Sequence, residues 1–204
     1  MFRSKYKTQK RVLRKRYLIY VDGQTEIWYF NLLREYEKIS NFVIEPKLPA
    51  ARKLSDKAEL IEEQSKIYDK VFWLVDMDSI LNDNKESEFR RYYLKLKRLK
   101  NVKVYVNSPC LELWFLIHYK NVSKYFPSCD KVIKKLKDVP RLKDYKKSWK
   151  YYYGSKNIYE KLKSKQINAI NNAERLGDFD IEYLSETKAE IYKIITFFLD
   201  INKF

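Results

Sequence analysis

The sequence predicts an α/β protein: a doubly wound, mainly parallel sheet of four strands flanked by helices, followed by a helical C-terminal half. Four short apolar runs alternate with segments whose apolar residues recur at helical spacing, which is typical of a parallel sheet. The run VFWLV at 71–75 is apolar throughout, as expected for a strand covered on both faces. Beyond about residue 120 the strand signals fade.

The first element is a strand over 17–21, which a tight turn at Asp22-Gly23 joins to a helix over about 25–38. We expect Gly23 to adopt a positive φ in this turn, because glycine tolerates it. Thr25 is the expected N-cap, and the carboxylate of Glu26 falls in the first turn, where the helix dipole favours negative charge. Two acids therefore lie at the carboxyl edge of the sheet, where open α/β sheets bind ligands.

The other elements follow in order along the chain. Pro46 favours an edge position for the second strand, since proline cannot donate a hydrogen bond to a neighbouring strand. The next helix is expected to begin at Ser55 or Asp56, which are common capping residues. The remaining predicted elements are strands over 42–48, 71–75 and 102–106, and helices over 56–69, 86–100, 111–119, 128–138, 155–173 and 186–200.

These elements divide the chain into a flexible basic arm over 1–16, an α/β core over 17–120 and a helical extension over 121–204 packed on the core. A length of 204 residues with a hydrophobic fraction of 45% is sufficient for one compact unit with its own core. A separate C-terminal helical subdomain is the alternative.

The formal net charge of +16 is concentrated in two segments. Residues 1–16 contain eight Lys or Arg and no acid, and residues 131–156 contain ten against Asp138 and Asp144. Two local basic patches favour a polyanion as partner. The alternative is a lysine-rich composition that reflects nucleotide bias in the source genome, with the lysines on solvated surfaces.

Cys110 and Cys129 lie far apart in the sequence, with no CxxC motif and a single histidine in the chain. We therefore expect no zinc site and reduced thiols. No apolar run is long enough to span a bilayer, and no signal-peptide pattern follows the basic N-terminal segment. These features predict a cytoplasmic protein without membrane contact.

Carboxylates follow two of the predicted strands: Asp22 and Glu26 after the first, and Asp76 and Asp78 after the third. Neighbouring parallel strands bring these acids to one edge of the sheet, where they repel one another unless a cation joins them. Oxygen ligands select Mg²⁺ or Mn²⁺. Alternate residues of an extended Asp-x-Asp point the same way, so Asp76 and Asp78 are expected to face one ion. The alternative is a set of solvated acids that cap helices.

A second Asp-x-Asp occurs at Asp178-Phe179-Asp180, after Gly177, where no strand is predicted to end. We interpret this copy as a turn. The pattern alone therefore does not identify a metal site, and its position after a buried strand is what distinguishes the first copy.

The motifs VDGQTE at 21–26 and DMD at 76–78 resemble the Toprim domain, whose pattern is an acid-Gly-x-x-Glu turn after the first strand and Asp-x-Asp after a later one. With YVDGQTEIWYF, VFWLVDMD, NSPCLELWFLIHY and INAINNAERL, the chain resembles the RloB-like family, which includes the AbiLii abortive-infection proteins. The resemblance runs from about residue 16 to 200. Its most specific segment, NSPCLELW with a histidine after it, is absent from other Toprim proteins.

The resemblance implies that Glu26, Asp76 and Asp78 bind Mg²⁺ or Mn²⁺, and that the first acid of the pattern serves in general acid/base chemistry. That first acid is usually glutamate, whereas this sequence has Asp22, which is one methylene shorter. Catalytic geometry is sensitive to displacements of about 1 Å. Either the backbone compensates, or the activity is weakened or altered.

Glu112 and His118 belong to the family-specific segment. Glu112 is expected in the first turn of a helix aimed at the same sheet edge, as a further metal ligand or an orienting group. His118 lies nearly two turns later, close to the same face, as a proton donor to a leaving group or a phosphate contact. The alternatives are a helix-capping glutamate and a half-buried histidine among apolar neighbours.

Basic and aromatic residues of the two basic segments are candidates for a nucleic-acid interface. The triplet YYY at 151–153, next to Trp149, would stack on unpaired bases or pack in the core. The residues expected to contact phosphates are Arg14, Lys15, Arg16, Lys146, Lys147 and Lys150.

Together these features predict a metal-dependent nucleic-acid phosphodiesterase, a Toprim-type endonuclease. The resemblance implies an effector of anti-phage abortive infection that cleaves RNA, with tRNA as an example, beside an ATPase partner. Two alternatives remain: a DNA endonuclease of the same defence class, and a non-catalytic nucleic-acid-binding or regulatory subunit, which Asp22 in place of glutamate favours. A homo-oligomer is left open.

Overall fold

A computed structural model describes residues 15–47 and 52–202 of the chain. Its centre is a sheet of five strands in the order β2-β1-β3-β4-β5. Strands β1 to β4 are parallel, and β5 pairs antiparallel with β4. The strands are β1 (Tyr17–Tyr20), β2 (Phe42–Glu45), β3 (Lys70–Asp76), β4 (Val102–Ser108) and β5 (Lys188–Ala189).

Helices connect the strands and cover both faces of the sheet. One short 3₁₀ helix, Pro140–Leu142, lies between α6 and α7. The α-helices are α1 (Gln24–Tyr36), α2 (Leu54–Gln64), α3 (Met77–Asn82), α4 (Glu86–Lys97), α5 (Glu112–Ile117), α6 (Cys129–Leu136), α7 (Trp149–Tyr152), α8 (Ile158–Lys163), α9 (Gln166–Arg175) and α10 (Ile191–Ile201).

The predicted α/β class with a mainly parallel sheet is confirmed, but the sheet has five strands, not four. The additional strand, β5, consists of Lys188 and Ala189, which pair with Ser108 and Asn107 of β4. Two residues are too few to show an alternating pattern in a sequence. The segment over 121–204 is therefore not helical throughout, because it also contributes an edge strand. At the opposite edge lies β2, where Pro46 predicted it.

Alternate strand residues build two hydrophobic cores on opposite faces of the sheet. Ile19 and Phe72 lie in one core, together with α1, α5 and the C-terminal helices. Leu18 and Trp73 lie in the other, together with α2, α3 and α4. All residues over 71–75 are buried, so this strand is covered on both faces as predicted. Each fully buried side chain of this kind stabilises the fold by about 1.5–3 kcal/mol.

Several helix bounds differ from the prediction. The predicted helix over 155–173 is two helices, α8 and α9. Helix α2 has Lys53 as its N-cap, so Ser55 and Asp56 lie inside its first turn and do not cap it. Helix α3 was not predicted, because its six residues are too few to show helical periodicity.

The predicted basic arm, including Arg14, lies outside the described residues except for Lys15 and Arg16. Within the described ranges, no helix has both the length and the apolar character that crossing a lipid bilayer requires.

Strand β1 lies between β2 and β3, so the chain adds β2 on one side of β1 and then β3 on the other. In open α/β sheets, ligands bind outside the carboxyl ends of the strands at such a point. The residues that follow β1 and β3 therefore occupy the position in the fold where a binding site is expected.

Candidate metal centre

Four carboxylic acids meet at this edge, and we call Glu26, Asp76, Asp78 and Glu112 the acidic cluster. Glu26 lies in the first turn of α1, Asp76 ends β3, Asp78 lies in the first turn of α3, and Glu112 begins α5. Glu26 and Glu112 are 3% and 0% exposed. Acids that follow β1 and β3 therefore do come together, and an acid that follows β4 joins them.

The start of α1 positions Glu26. Gly23 is the N-cap of this helix, with an extended φ of −132°, so neither the predicted positive φ nor the predicted Thr25 cap is found. A Cβ atom on Gly23 would lie 2.4 Å from Glu26 Oε2. Thr25 lies inside the first turn, and its hydroxyl donates to the Glu26 carboxylate at 3.2 Å. A larger residue at this position would therefore displace the Glu26 carboxylate, which packs directly against the turn.

Backbone groups of the segment after β4 hold Asp76 and Asp78. The amide of Leu111 donates to Asp76 Oδ2 at 3.1 Å, and the amide of Asp78 donates to the carbonyl of Pro109 at 2.9 Å. The Asn107 side chain also lies 3.3 Å from Asp76 Oδ1. Asp76 and Asp78 do not alternate along one extended strand as predicted, because α3 begins between them. Asp78 reaches the cluster from a helix, and Asp76 from a strand end.

Glu112 is held by residues that come from the C-terminal half of the chain. The hydroxyl of Tyr145 donates to Glu112 Oε1 at 2.6 Å, and Lys147 Nζ lies 3.1 Å from the same oxygen. Cys129 Sγ lies 3.0 Å from Glu112 Oε2. Sequence reasoning missed Tyr145, which carries no motif and lies 33 residues from Glu112.

Burial controls the electrostatics of the acidic cluster. It raises the pKa of Glu26 to about 7, and the charge of Glu112 contributes to that rise. The pKa of Asp76 is raised well above its ordinary value by burial and then by Glu26, and burial also raises that of Asp78. Burial lowers the pKa of Lys147, but the neighbouring carboxylates, Glu112 first, outweigh burial and raise it. One ammonium group thus faces four acids.

The donor set of the acidic cluster suits Mg²⁺ or Mn²⁺, because every group offers carboxylate oxygens. A metal ion can be shared by acids, cysteines and histidines whose ligand atoms, one from each side chain, lie within 4.8 Å of one another. In the described part of the chain, one group of three meets this condition: Asp78, Cys110 and Cys129. The carboxylate oxygens of Glu26, Asp76 and Asp78 do not all lie within that distance of one another in this structure. This spacing agrees with the habit of Mg²⁺, which uses one or two carboxylates and completes its shell with waters and phosphate oxygens.

Asp22, which was expected beside these acids, lies apart from them. Its Oδ1 forms an ion pair with Lys57 of α2 at 2.7 Å. Its Oδ2 is buried, as is the indole nitrogen of Trp73. Burial raises the pKa of Asp22, although Lys57 and, to a smaller extent, the Trp73 indole oppose the rise. Glu112 thus takes the place beside the other three acids of the cluster where the sequence had suggested Asp22.

His118 does not lie on the face of α5 that carries Glu112. Six residues at 100° each place the two side chains about 120° apart around a helix, so the predicted shared face is wrong. His118 packs against Trp114 and its Nδ1 donates to the Trp114 carbonyl at 2.7 Å. Burial lowers its pKa to about 4. His118 instead borders a separate polar cavity of about 260 Å³, together with asparagines of α9.

The five predicted phosphate contacts that lie in the described ranges do not form one surface. Lys146 and Lys150 line an open cavity of about 910 Å³, which we call the basic cavity, whereas Lys147 turns to the acidic cluster. Arg16 lies before β1, at the opposite end of the strand from the acids, and its backbone amide donates to Asp69. The cations that line the basic cavity are Lys137, Arg141, Lys143, Lys146, Lys150, Lys156 and Lys161.

The aromatic residues around 149–153 divide between packing and exposure. Tyr152 is fully buried and its hydroxyl lies 3.0 Å from that of Tyr145. Tyr151 borders the basic cavity, where Lys161 lies 4.1 Å from its ring centroid. Trp149 is 59% exposed and stacks on Tyr153 at 3.8 Å. The proposed stacking surface is thus reduced to Trp149, and Tyr152 belongs to the core.

The prediction of reduced, separate cysteines is wrong for this structure. Cys110 and Cys129 form a disulfide that links the segment after β4 to the start of α6. Spacing in the sequence could not show this, because the fold brings the two segments together. Sequence reasoning therefore also missed that both sulfur atoms border the acidic cluster.

No curated protein and no solved structure matches the chain. The family profile described as RloB-like protein matches residues 17–197, a range that contains all four acids, Tyr145, Lys147 and both cysteines. This match covers most of the chain and agrees with the motifs from which the resemblance was inferred. The chain belongs to the RloB-like protein family.

Proposed function

We propose that this protein is a Mg²⁺-dependent nuclease of the Toprim type, with the acidic cluster as its metal centre. The observation that supports this most strongly is the meeting of four carboxylic acids at a buried sheet edge, with burial raising the pKa of Glu26 to about 7. Carboxylates that are buried close together repel one another, and a divalent cation between them offsets this repulsion.

Glu26 and Asp76 would hold the ion, with Asp78 completing its shell directly or through water. Bound Mg²⁺ would polarise a phosphoryl oxygen and lower the pKa of a coordinated water. Lys147 would stabilise negative charge that develops on the phosphate, because its ammonium is fixed beside the cluster. Glu112 is then a positioning residue: the Tyr145 hydroxyl orients its carboxylate, which in turn holds Lys147.

The basic cavity is the proposed path of the substrate backbone. Tyr145 belongs to both sites, because it lines the basic cavity and its hydroxyl donates to Glu112. A phosphodiester strand held by Lys146 and Lys150 would therefore reach the acidic cluster by passing Tyr145. Trp149 offers an exposed face for an unpaired base, which favours a single-stranded or looped substrate.

RNA, with tRNA as the example, is the preferred substrate, and DNA is the alternative. The choice of RNA, the role in anti-phage abortive infection and the ATPase partner rest on the family resemblance and not on contacts in this chain. The RNA substrate, the anti-phage role and the ATPase partner form the biological setting that we propose for this nuclease.

A second candidate function is that of a non-catalytic nucleic-acid-binding or regulatory subunit. The observation that favours it is the ion pair between Asp22 and Lys57, because it removes the first acid of the Toprim pattern from the metal centre. A subunit of this kind would bind nucleic acid with an affinity that falls steeply with salt and does not depend on Mg²⁺.

The proposal is tested by cleavage of end-labelled tRNA, single-stranded RNA and duplex DNA, each with Mg²⁺, Mn²⁺ or EDTA. Asp76→Asn removes a proposed ligand, and Asp180→Asn is the matched control, because Asp180 belongs to the other Asp-x-Asp and is exposed. We expect metal-dependent products from the wild type and from Asp180→Asn, and at least about a 100-fold loss with Asp76→Asn.

Cleavage that persists in EDTA, or that Asp76→Asn leaves unchanged, would contradict the proposal. If no variant cleaves any substrate even with the ATPase partner added, and Mg²⁺ leaves the affinity for RNA unchanged, the non-catalytic function is correct.

A further inference from the structure

We propose that reduction of the Cys110–Cys129 disulfide creates a binding site for a thiophilic divalent cation, with Zn²⁺ as the physiological example. The ligands are the two sulfur atoms and the carboxylate of Asp78. This site adjoins the proposed Mg²⁺ centre and shares Asp78 with it.

The positions of the donor atoms carry this inference. One carboxylate oxygen of Asp78 and the sulfur atoms of Cys110 and Cys129 all lie within 4.8 Å of one another. Glu112 Oε2 lies 3.0 Å from Cys129 Sγ but outside this set of three. Two sulfurs and one oxygen from three different segments thus converge on one small volume, and Zn²⁺ with three protein ligands completes its tetrahedral shell with a water.

The chemistry of these donors separates the site from the Mg²⁺ centre. Thiolates select zinc and similar soft or borderline ions, whereas Mg²⁺ requires oxygen ligands. Cys110, Cys129 and Glu112 are buried, so water competes little for the ion. Lys147 Nζ lies 3.5 Å from Cys129 Sγ and 3.1 Å from Glu112 Oε1, where its charge offsets part of the excess negative charge of two thiolates and two carboxylates.

The backbone fixes Cys110 between groups that hold the acids. Its preceding residue, Pro109, accepts a hydrogen bond from the amide of Asp78, and its following residue, Leu111, donates one to Asp76. Cys129 is the first residue of α6. Because these contacts do not involve the sulfur atoms, they can persist when the disulfide is reduced, which leaves both thiols beside Asp78.

The redox step balances as a thiol-disulfide exchange. Two thiol groups of a low-molecular-weight thiol supply two electrons and two protons, the S–S bond of the protein breaks, and the external thiol leaves as its own disulfide. Binding of the ion then displaces the two protons from Cys110 and Cys129. In the oxidised protein the sulfurs are bonded to each other and carry no thiolate, so the site exists only in the reduced state.

Cobalt provides the direct test, because Co²⁺ bound to thiolates in a tetrahedral site has strong charge-transfer absorption in the near ultraviolet and visible ligand-field bands. The full chain would be prepared oxidised and fully reduced, freed of excess reductant, and titrated with Co²⁺. We expect these bands to saturate at one ion per chain in the reduced protein, to be absent from the oxidised protein, and to disappear on addition of Zn²⁺.

Variants separate the ligands from the fold. Cys129→Ser should abolish the charge-transfer absorption, and Asp78→Asn should weaken Co²⁺ binding at least about tenfold, while Asp180→Asn should leave it unchanged. Absence of the bands from reduced wild type, or equal bands in Cys129→Ser, would overturn the proposal. The comparison of oxidised with reduced wild type needs no substitution, so misfolding of a variant cannot obscure the result.

The site rests on geometry alone, but its consequence rests on the proposed function. If the acidic cluster is a nuclease centre, Zn²⁺ at the new site withdraws Asp78 from it, and stoichiometric Zn²⁺ should suppress Mg²⁺-dependent cleavage in reduced protein only. Cobalt binding without any nuclease activity would leave the site standing and count against the nuclease. Nuclease activity without cobalt binding would support the nuclease and overturn the proposed thiolate site.

Discussion

The acidic cluster and the basic cavity share Tyr145 but differ in the sign of their charges and in their exposure to solvent. In the acidic cluster, both glutamates are buried, both aspartates are half-buried, and the ammonium of Lys147 reaches them. In the basic cavity, seven cations line an open space together with Asp144, and solvent has free access to it. Neighbouring residues of one segment serve both: Lys146 turns to the cavity and Lys147 to the cluster.

The difference shows how burial sets the scale of an electrostatic effect. Charges separated by a few ångströms interact several times more strongly in a partly dry site than at a solvated surface, where salt screens them further. Single substitutions in the acidic cluster should therefore have large and specific effects. Substitutions in the basic cavity should have small and additive effects, which makes the two regions separable by experiment.

The largest effect is expected for the stability of the ion-free protein. The pKa of Glu26 is about 7 when folded, against an ordinary value of 4.5, so folding favours the protonated carboxyl. Its contribution to the free energy of unfolding is full below about pH 4.5 and is lost as pH rises through 7. The loss is on the order of 3 kcal/mol. Denaturation without divalent ions between pH 4 and 9 should show this decrease.

Glu26→Gln should remove this part of the pH dependence, and Mg²⁺ should stabilise the wild type most at high pH, where the carboxylate is ionised. Glu63→Gln is the control, because Glu63 is an exposed acid of α2. Equal pH dependence in the wild type and Glu26→Gln would show that the cluster does not hold Glu26 as described.

The second effect separates adjacent lysines. Lys147→Gln should lower cleavage about 30-fold or more, because the acidic cluster loses its ammonium and the developing charge on the phosphate loses a fixed donor. Lys146→Gln should lower it about threefold or less, because Lys146 contributes one of many solvated cations. The rate constants are compared at saturating substrate. Similar losses of cleavage rate for Lys147→Gln and Lys146→Gln would contradict the proposed difference between the acidic cluster and the basic cavity.

A smaller effect is expected in the salt dependence of RNA binding. Each phosphate contact to a single strand contributes about 0.7 to the slope of log affinity against log salt concentration. Lys146→Ala and Lys150→Ala should each reduce the slope by about that amount. Lys15→Ala serves as the comparison, since Lys15 precedes β1 at the far end of the sheet. A slope that changes with Lys15 and not with Lys150 would locate the RNA elsewhere.

The smallest effect is expected for Asp22→Asn. The ion pair with Lys57 keeps Asp22 out of the acidic cluster, so cleavage should fall less than about threefold. General acid/base catalysis by this residue would instead contribute about 100-fold or more. A large loss of activity with normal stability would therefore restore the role that the Toprim resemblance implies for the first acid.

Sequence reasoning succeeded where the signal is local. The buried run over 71–75, the turn after β1 and the acids that follow both strands are visible as short patterns. These patterns predicted the fold class and the sheet edge. They also predicted that Glu26 and Asp76 would lie close together, because the topology of parallel strands carries that information.

It failed where contacts depend on tertiary packing between distant segments. Tyr145 and Lys147 reach Glu112 only because α6 and the segment after it fold back across α5. The disulfide joins Cys110 to Cys129 for the same reason. The ion pair of Asp22 could not be foreseen, because its partner, Lys57, lies 35 residues away in α2. None of these contacts produces a periodic pattern in the sequence.

The central claim is that the acidic cluster binds a divalent cation through Asp76. It is tested most directly by titrating the protein with Mn²⁺ and measuring the free ion by electron paramagnetic resonance, which requires no substrate, partner or activity. We expect saturable binding to the wild type and to Asp180→Asn, competition by Mg²⁺, and affinity at least about tenfold weaker for Asp76→Asn. Equal binding by Asp76→Asn, or no saturable binding by the wild type, would contradict it.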